Sequence, residues 1–254
     1  MKPFIHTHPY EPFLFKEERK LIVGTLPPLR FTSGELMIGD VDFSYGSRDG
    51  QLWPILDRIF NLNLDFETTQ KAVAQRMEFL LERRIGICDI VANAERSKID
   101  ASDLGMEQIQ LRNILGDLQE YPNVQTLLFT GGNSKNGPEY FFRKHLNEFG
   151  LRLKLISDKV PRIHEFKLPL DLFSSVNYKG EERTIRTISL TAPTGAANRA
   201  VGSLQLYKEL KKKDPKFNTI DFRVLQYSHF FLMERQCYCF STIRMTIFYS
   251  VGLL

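Results

Sequence analysis

Residues 21–53 read LIVGTLPPLRFTSGELMIGDVDFSYGSRDGQLW, and this stretch decides the fold. Its apolar run at 21–23 stops at Gly24 and is soon followed by a pair of prolines, which is typical of a buried strand that ends in a tight loop. The loop then carries three carboxylates and an aromatic ring: Asp40, Asp42, Asp49 and Tyr45. In open α/β sheets ligands bind in the crevice beyond the carboxyl ends of the strands, so we expect the functional site in this loop.

The composition sets wide limits on function. The chain has 254 residues, of which 43% are hydrophobic, and a formal net charge of +4. That apolar fraction is sufficient for a full core, and the mild positive charge permits a polyanionic partner without requiring one. Three cysteines without a CxxC or Cys/His spacing predict no zinc or iron–sulfur site and a reducing compartment.

The sequence carries no visible targeting signal. Prolines and histidines interrupt residues 1–19, so no signal peptide is predicted there. The longest apolar run near the other end, residues 245–254, has about half the length that a membrane span requires. We therefore expect a cytoplasmic protein without membrane attachment.

Strand and helix patterns alternate along the chain. Short apolar runs predict strands, and apolar residues at helical spacing predict helices. The predicted strands cover residues 20–25, 86–91, 124–130, 151–156, 163–168 and 184–190. The predicted helices lie near residues 53–60, 72–81, 109–118, 138–149 and 204–210. This alternation is typical of a three-layer α/β/α sandwich with a mainly parallel central sheet.

We expect one domain over residues 1–254, with a core at about 20–231 and a tail at 233–254 to which the pattern assigns no role. Three connections are predicted as well: a segment at 1–19 that wraps the first strand, a loop at 93–103 on the ligand-binding edge and a hairpin turn at 179–181.

Four residues outside the central loop, or at its end, invite a functional interpretation but are predicted to be structural. His6 and His8 have the spacing of a metal-binding pair, yet no downstream cluster of His and Asp completes a site. Asp89 lies at the end of an apolar strand, where an acid often caps the following loop. Trp53 begins an apolar helix and is expected to anchor the core.

Three motifs resemble motifs of the uracil-DNA glycosylase superfamily, closest to its mismatch-specific and hypoxanthine-acting branches. Residues 24–28, GTLPP, look like the Gly-x-x-Pro turn that ends a strand in this family. Residues 45–53, YGSRDGQLW, are similar to its aromatic-Gly-…-Asn-x-Phe-Trp run. Residues 193–198, PTGAAN, are similar to its Ser/Pro-rich loop ending in Ala-Asn, which inserts against DNA. The motifs occur in the family's order.

The resemblance implies a uracil-DNA glycosylase-like fold and a DNA glycosylase that removes a deaminated base, uracil or hypoxanthine. Such an enzyme extrudes the nucleotide from the stack, holds the base and hydrolyses its N-glycosidic bond. The resemblance implies no metal, no cofactor, a monomer, and DNA with a damaged or mismatched base as the partner. An alternative is a glycosylase-fold protein that binds nucleic acid without cleaving it.

The motifs and the turn after the third predicted strand supply the candidate site residues. Tyr45 matches the family's stacking aromatic, and the backbone amides of Thr25 or Leu26 are placed to donate to the departing base. Asn133 follows a pair of glycines and carries an amide that suits a base edge. The base-binding set is Gly24, Thr25, Leu26, Tyr45 and Asn133. The DNA-binding set is Arg48, Pro193, Thr194, Gly195, Ala196, Asn198 and Arg199.

Two departures from the family pattern decide the predicted catalytic residue. Leu26 stands where related enzymes carry Asp or Asn, and Gly50 stands where the hypoxanthine-acting branch carries Asn. Asp49 is the nearest substitute, so we predict that it positions the attacking water, although a turn-capping role fits its context equally well. A further alternative is a small-molecule hydrolase in which Asp40, Asp42 and Asp49 hold a divalent ion.

Overall fold

The computed structural model describes residues 3–99, 103–170, 172–173 and 181–232. The strands are β1 (Phe4–Thr7), β2 (Lys20–Gly24), β3 (Ile85–Asp89), β4 (Val91–Arg96), β5 (Glu107–Leu111), β6 (Thr126–Phe129), β7 (Lys154–Ser157), β8 (Arg162–Pro169) and β9 (Glu182–Ser189). The helices are α1 (Leu29–Ser33), α2 (Leu52–Phe60), α3 (Gln70–Arg83), α4 (Ile114–Glu120), α5 (Pro138–Glu148), α6 (Asn198–Ser203), α7 (Gln205–Lys213) and α8 (Thr219–Leu232). None of these described helices is long and apolar enough to cross a membrane. The tail at 233–254 and most of the predicted turn at 179–181 lie outside the described residues.

The central sheet has six strands in the order β3-β2-β6-β9-β8-β7. The first four are parallel, and β8 and β7 are added antiparallel at one edge. Strands of a parallel sheet are covered by helices on both faces, so successive side chains along such a strand are apolar, as they are in β2. Leu21, Ile22 and Val23 are accordingly buried.

Helices cover both faces of this sheet. Leu21 and Val23 belong to an apolar cluster with side chains of α4 and α5, whereas Ile22 belongs to a cluster with side chains of α2, α3 and α8. Successive side chains of β2 therefore point to opposite faces of the sheet and pack into the two helical layers in turn. Trp53 is buried in the second layer, as predicted, and its Nε1 donates to the Ser44 carbonyl oxygen at 2.9 Å. The predicted α/β class, with a mostly parallel sheet between helices, is confirmed.

A second sheet, antiparallel with the order β1-β4-β5, corrects three sequence predictions. Residues 1–19 do more than wrap the first strand, because Phe4–Thr7 pairs with β4. Residues 93–96, predicted as a loop, are part of β4. Residues 109–111, predicted as the start of a helix, end β5, and α4 begins only after Asn113 caps its first turn. Pairing between strands decides these segments, since spacing in so short a stretch does not separate helix from strand.

Candidate active site

The carboxyl ends of the four parallel strands meet at one edge of the sheet. The register pairs Gly24 with Asp89 and Phe129 with Ser189. The loops that follow β2, β3, β6 and β9 therefore lie side by side, at the edge where open α/β sheets bind ligands.

Gly24 is the point at which three polar side chains converge. A Cβ atom at this position would lie 2.1 Å from the Tyr45 hydroxyl oxygen, 2.6 Å from Asp89 Oδ1 and 2.9 Å from Thr130 Oγ1. Non-bonded atoms do not approach a side-chain carbon this closely, so only glycine fits. The glycine of the first motif is thus explained by the close packing of these groups against bare backbone.

The Tyr45 hydroxyl is the centre of this group, which we call the Gly24 cluster: Gly24, Tyr45, Asp89 and Thr130. The hydroxyl lies 3.3 Å from Thr130 Oγ1. Burial, together with the negative charge of Asp89, raises the pKa of Tyr45 well above its ordinary value, so the phenol stays protonated and can donate a hydrogen bond. Stacking of a base on the Tyr45 ring stays a prediction.

Asp89 and His8 are joined in the structure, although the sequence predicts separate structural roles for them. His8 Nε2 lies 2.8 Å from Asp89 Oδ2, and the two side chains are 4% and 7% exposed. His8 thereby holds the carboxylate whose other oxygen faces Gly24. The two residues are 81 positions apart, so no local pattern could have linked them.

A cavity of about 350 Å³ opens beyond the ends of β6 and β9. Its volume lies within the range of about 300–1,000 Å³ that is usual for small-molecule pockets. Thr130 belongs both to its wall and to the Gly24 cluster. The charged and hydroxyl-bearing residues of its wall include Asp103, Arg162, Thr130, Ser189 and Thr191.

Asp103 is the carboxylate of this cavity. The Thr25 hydroxyl donates to Asp103 Oδ1 at 2.8 Å, and Asn136 Nδ2 donates to the Asp103 carbonyl oxygen at 2.8 Å. Burial raises the pKa of Asp103 to about 6, against the opposing effect of the Thr25 hydrogen bond. A carboxyl with a raised pKa in a cleft is a candidate for function. The sequence predicts only that residues 93–103 reach this edge, and the contact with Thr25, 78 positions away, has no local signal.

Asp49, the predicted catalytic residue, lies in an exposed turn. The Gly50 N–H donates to the Ser47 carbonyl oxygen at 2.8 Å, and the Asp49 N–H donates to Ser47 Oγ at 3.2 Å. The Asp49 side chain is 72% exposed and lies 3.3 Å from Arg30 Nη2. It does not line the cavity. The side chain that caps this turn is that of Ser47, whereas the Asp49 carboxylate contacts Arg30. A catalytic role for Asp49 stays a prediction.

The acids of the hydrolase alternative bind different partners. Arg30 donates to both oxygens of the buried Asp40, at 2.6 and 2.8 Å. Burial alone raises the pKa of Asp40, but these hydrogen bonds and two from backbone N–H groups lower it to about 2. Asp42 instead accepts a hydrogen bond from the Tyr10 hydroxyl at 2.7 Å. Among the residues that the structure describes, no group of three or more His, Cys, Asp or Glu is arranged to hold a metal ion.

The second and third motifs meet in space. Gly50 and Thr194 form an isolated β-bridge, and the Gln51 N–H donates to the Pro193 carbonyl oxygen at 2.8 Å. The loop at 193–198 therefore lies against the turn that carries Asp49. Leu26, which belongs to the first motif, packs against the core. Six of the predicted contact residues are exposed: Arg48, Asn133, Gly195, Ala196, Asn198 and Arg199.

Arg223 is a further residue of this edge that the sequence does not predict. Its buried guanidinium donates to the carbonyl oxygens of Ala192 at 2.9 Å and Thr194 at 3.0 Å, and to Asn198 Oδ1 at 2.9 Å. One side chain of α8 thereby holds both ends of the third-motif loop. Arginine on a helix is usually exposed, so its sequence context does not reveal this role.

Comparison with known proteins gives a similar solved structure. It is the solution NMR structure of a protein from Methanosarcina acetivorans that is provisionally described as a uracil DNA glycosylase, with a TM-score of 0.46 and 16% identity. The similarity covers 87% of this chain and 99% of that chain. No family model matches this chain, and no curated protein matches it significantly.

Proposed function

We propose that this protein is a DNA glycosylase that removes a deaminated base, uracil or hypoxanthine, from DNA by base flipping and hydrolysis, without metal or cofactor. The observation that carries the proposal is the Asp103 carboxyl, held by Thr25 in a cavity at the carboxyl edge of the sheet. Hydrolysis of an N-glycosidic bond builds positive charge on the sugar, and a carboxylate offsets that charge and orients water.

Asp103 and Asp49 are rival candidates for this role. With a pKa of about 6, Asp103 is largely ionised at neutral pH and can accept a proton from water. Asp49 is 72% exposed and lies near Arg30. Water screens the charge of such a carboxylate, so its interaction with positive charge on a sugar would be weak. Burial therefore favours Asp103 as the catalytic carboxylate.

The test is cleavage of end-labelled duplexes that hold a single uracil or hypoxanthine, followed by alkaline scission, with EDTA present. We expect strand breaks with the wild-type protein, a loss of about 10²-fold or more in Asp103→Asn, and little change in Asp49→Asn. DNA affinity, measured by fluorescence anisotropy, is expected to survive both substitutions. Loss of cleavage in Asp49→Asn alone would return the catalytic role to that residue.

A protein that binds DNA without cleaving it is the second candidate. It is favoured by Leu26, which packs against the core where related enzymes carry a polar catalytic residue. It predicts no strand breaks with either base, together with DNA affinity that Asp103→Asn leaves unchanged.

A further inference from the structure

Ser189, the last residue of β9, lines the cavity that also holds Asp103. Its Oγ lies 2.5 Å from Glu139 Oε2, and Ser189 is 6% exposed. Glu139 lies in the first turn of α5 and is completely buried. Arg143 donates to Glu139 Oε1 from Nε at 2.8 Å and from Nη2 at 2.6 Å. This ion pair keeps a carboxylate directly behind the serine.

The carboxylate fixes the direction of the serine proton. An ionised Glu139 can only accept hydrogen bonds, so the single proton of the Ser189 hydroxyl must be directed to it. Only the lone pairs of Ser189 Oγ are then available to a ligand in the cavity. Toward such a ligand the serine is therefore an acceptor and not a donor.

His164 reinforces this arrangement from the other side. Its Nε2 lies 2.8 Å from Arg143 Nη2, and burial lowers the pKa of His164, so the neutral ring accepts a hydrogen bond from the guanidinium. Arg143 is thus held by two partners, and Glu139 does not rotate away from Ser189.

The hydroxyl of Thr191, just beyond the same strand, also donates its proton to a group outside the cavity. The backbone N–H and the hydroxyl of Thr191 both donate to Gln226 Oε1, at 2.9 and 3.0 Å. Because the N–H can only donate, it requires the amide oxygen of Gln226 on this side, and the Thr191 hydroxyl must donate as well. Two hydroxyls of the cavity wall therefore have their protons committed elsewhere.

We propose that Ser189 is a specificity-determining residue that accepts a hydrogen bond from a ring N–H of the base, and this inference rests on the proposed function. Deamination converts a ring nitrogen from an acceptor into a donor: N1 of adenine becomes N1–H in hypoxanthine, and N3 of cytosine becomes N3–H in uracil. An acceptor-only hydroxyl bonds to the deaminated ring. With the parent base, two lone pairs face each other and a buried group loses its partner.

The test uses binding of free bases, which does not depend on cleavage. Equilibrium dialysis with labelled hypoxanthine, adenine, uracil and cytosine is expected to show a preference of about tenfold or more for each deaminated base over its parent. Ser189→Ala is expected to bring the members of each pair close to equal affinity. Glu139→Gln is expected to reduce or reverse the preference, because an amide N–H can donate to Ser189 and free its proton.

Two matched variants control for folding. Glu148 lies on the exposed side of α5, and Glu148→Gln makes there the same change as Glu139→Gln. Ser228→Ala removes a serine hydroxyl from α8. Both variants should keep the wild-type preference. Cooperative thermal unfolding of each variant shows that the fold is intact. If Ser189→Ala does not fold, Glu139→Gln carries the test alone.

The outcomes separate this inference from the proposed function. A preference that survives both Ser189→Ala and Glu139→Gln overturns the inference even if duplexes are cleaved, and so does a wild-type protein that binds none of the four bases. A preference that both variants abolish supports the role of Ser189 even if no duplex is cleaved. In that case only the proposed hydrolysis is rejected.

Discussion

Asp103 must be ionised to orient a water molecule in the proposed reaction. Because its pKa is raised to about 6, the reaction rate is expected to depend on pH near that value. We expect kcat/KM to fall about tenfold for each pH unit below 6 and to level off above about pH 7. Single-turnover rates between about pH 4.5 and about pH 8.5 would measure this dependence. A rate that does not change across pH 6 would exclude Asp103 as the catalytic carboxylate.

The same raised pKa has a cost for folding. Between about pH 4 and pH 6 the folded protein keeps a proton that the unfolded chain has lost, so the free energy of unfolding falls as pH rises through that window. Asp103→Asn removes the buried charge and is expected to raise the free energy of unfolding at pH 7 by about 1–2 kcal/mol. Urea unfolding should show this gain at neutral pH and not near pH 4; equal changes at both would contradict it.

Gly24→Ala places a methyl group against the Tyr45 hydroxyl, Asp89 and Thr130. We expect this overpacking to lower the free energy of unfolding by about 1–3 kcal/mol. Tyr45→Phe removes the atom nearest to the new methyl group, so the double variant should recover part of the loss. A double-mutant cycle measures this coupling, and strictly additive losses would show that the two residues do not contact each other.

Helix α8 supports the third-motif loop through one side chain, Arg223. Lysine keeps the charge but cannot serve three acceptors with the fork of a guanidinium. Arg223→Lys is expected to lower the free energy of unfolding by about 1–3 kcal/mol and to speed hydrogen exchange of the amides at 193–198. Arg199→Lys, in an exposed position of the same region, should do neither. Unaltered exchange in Arg223→Lys would show that the loop keeps its shape without this helix.

Strands of the central sheet fall close to where apolar runs predict them, because a strand covered on both faces needs a continuous apolar stretch. The element at Glu107–Leu111 lacks such a run. Its residues are mostly exposed, and it is a strand because β4 offers it hydrogen bonds. Local spacing favours a helix there, and pairing with a distant segment overrides that preference.

Glu18 links the stability of the whole molecule to pH. Its side chain is completely buried, with Oε2 so close to Gly86 that a Cβ there would lie 2.1 Å away. Burial raises the pKa of Glu18 from 4.5 to about 8. The folded protein therefore holds a proton that the unfolded chain loses, and the free energy of unfolding falls as pH rises between these two values.

Glu18→Gln stays neutral at every pH and is expected to remove this dependence. Relative to the variant, the wild-type protein should lose about 1–3 kcal/mol of unfolding free energy between pH 5 and pH 8. Chemical denaturation of both proteins at several pH values gives the comparison. Parallel curves would mean that Glu18 does not hold its proton in the folded state.

The sequence by itself determined the α/β class, the positions of the main strands and the edge at which to look for a site, because apolar periodicity and Gly/Pro breaks are local properties. Only the tertiary structure decided which polar groups meet there. The pairs His8–Asp89, Thr25–Asp103 and Ser189–Glu139 join residues 81, 78 and 50 positions apart. Such pairs depend on the order of strands in the sheet, which places distant loops side by side and buries their charges, and no short stretch of the chain contains that information.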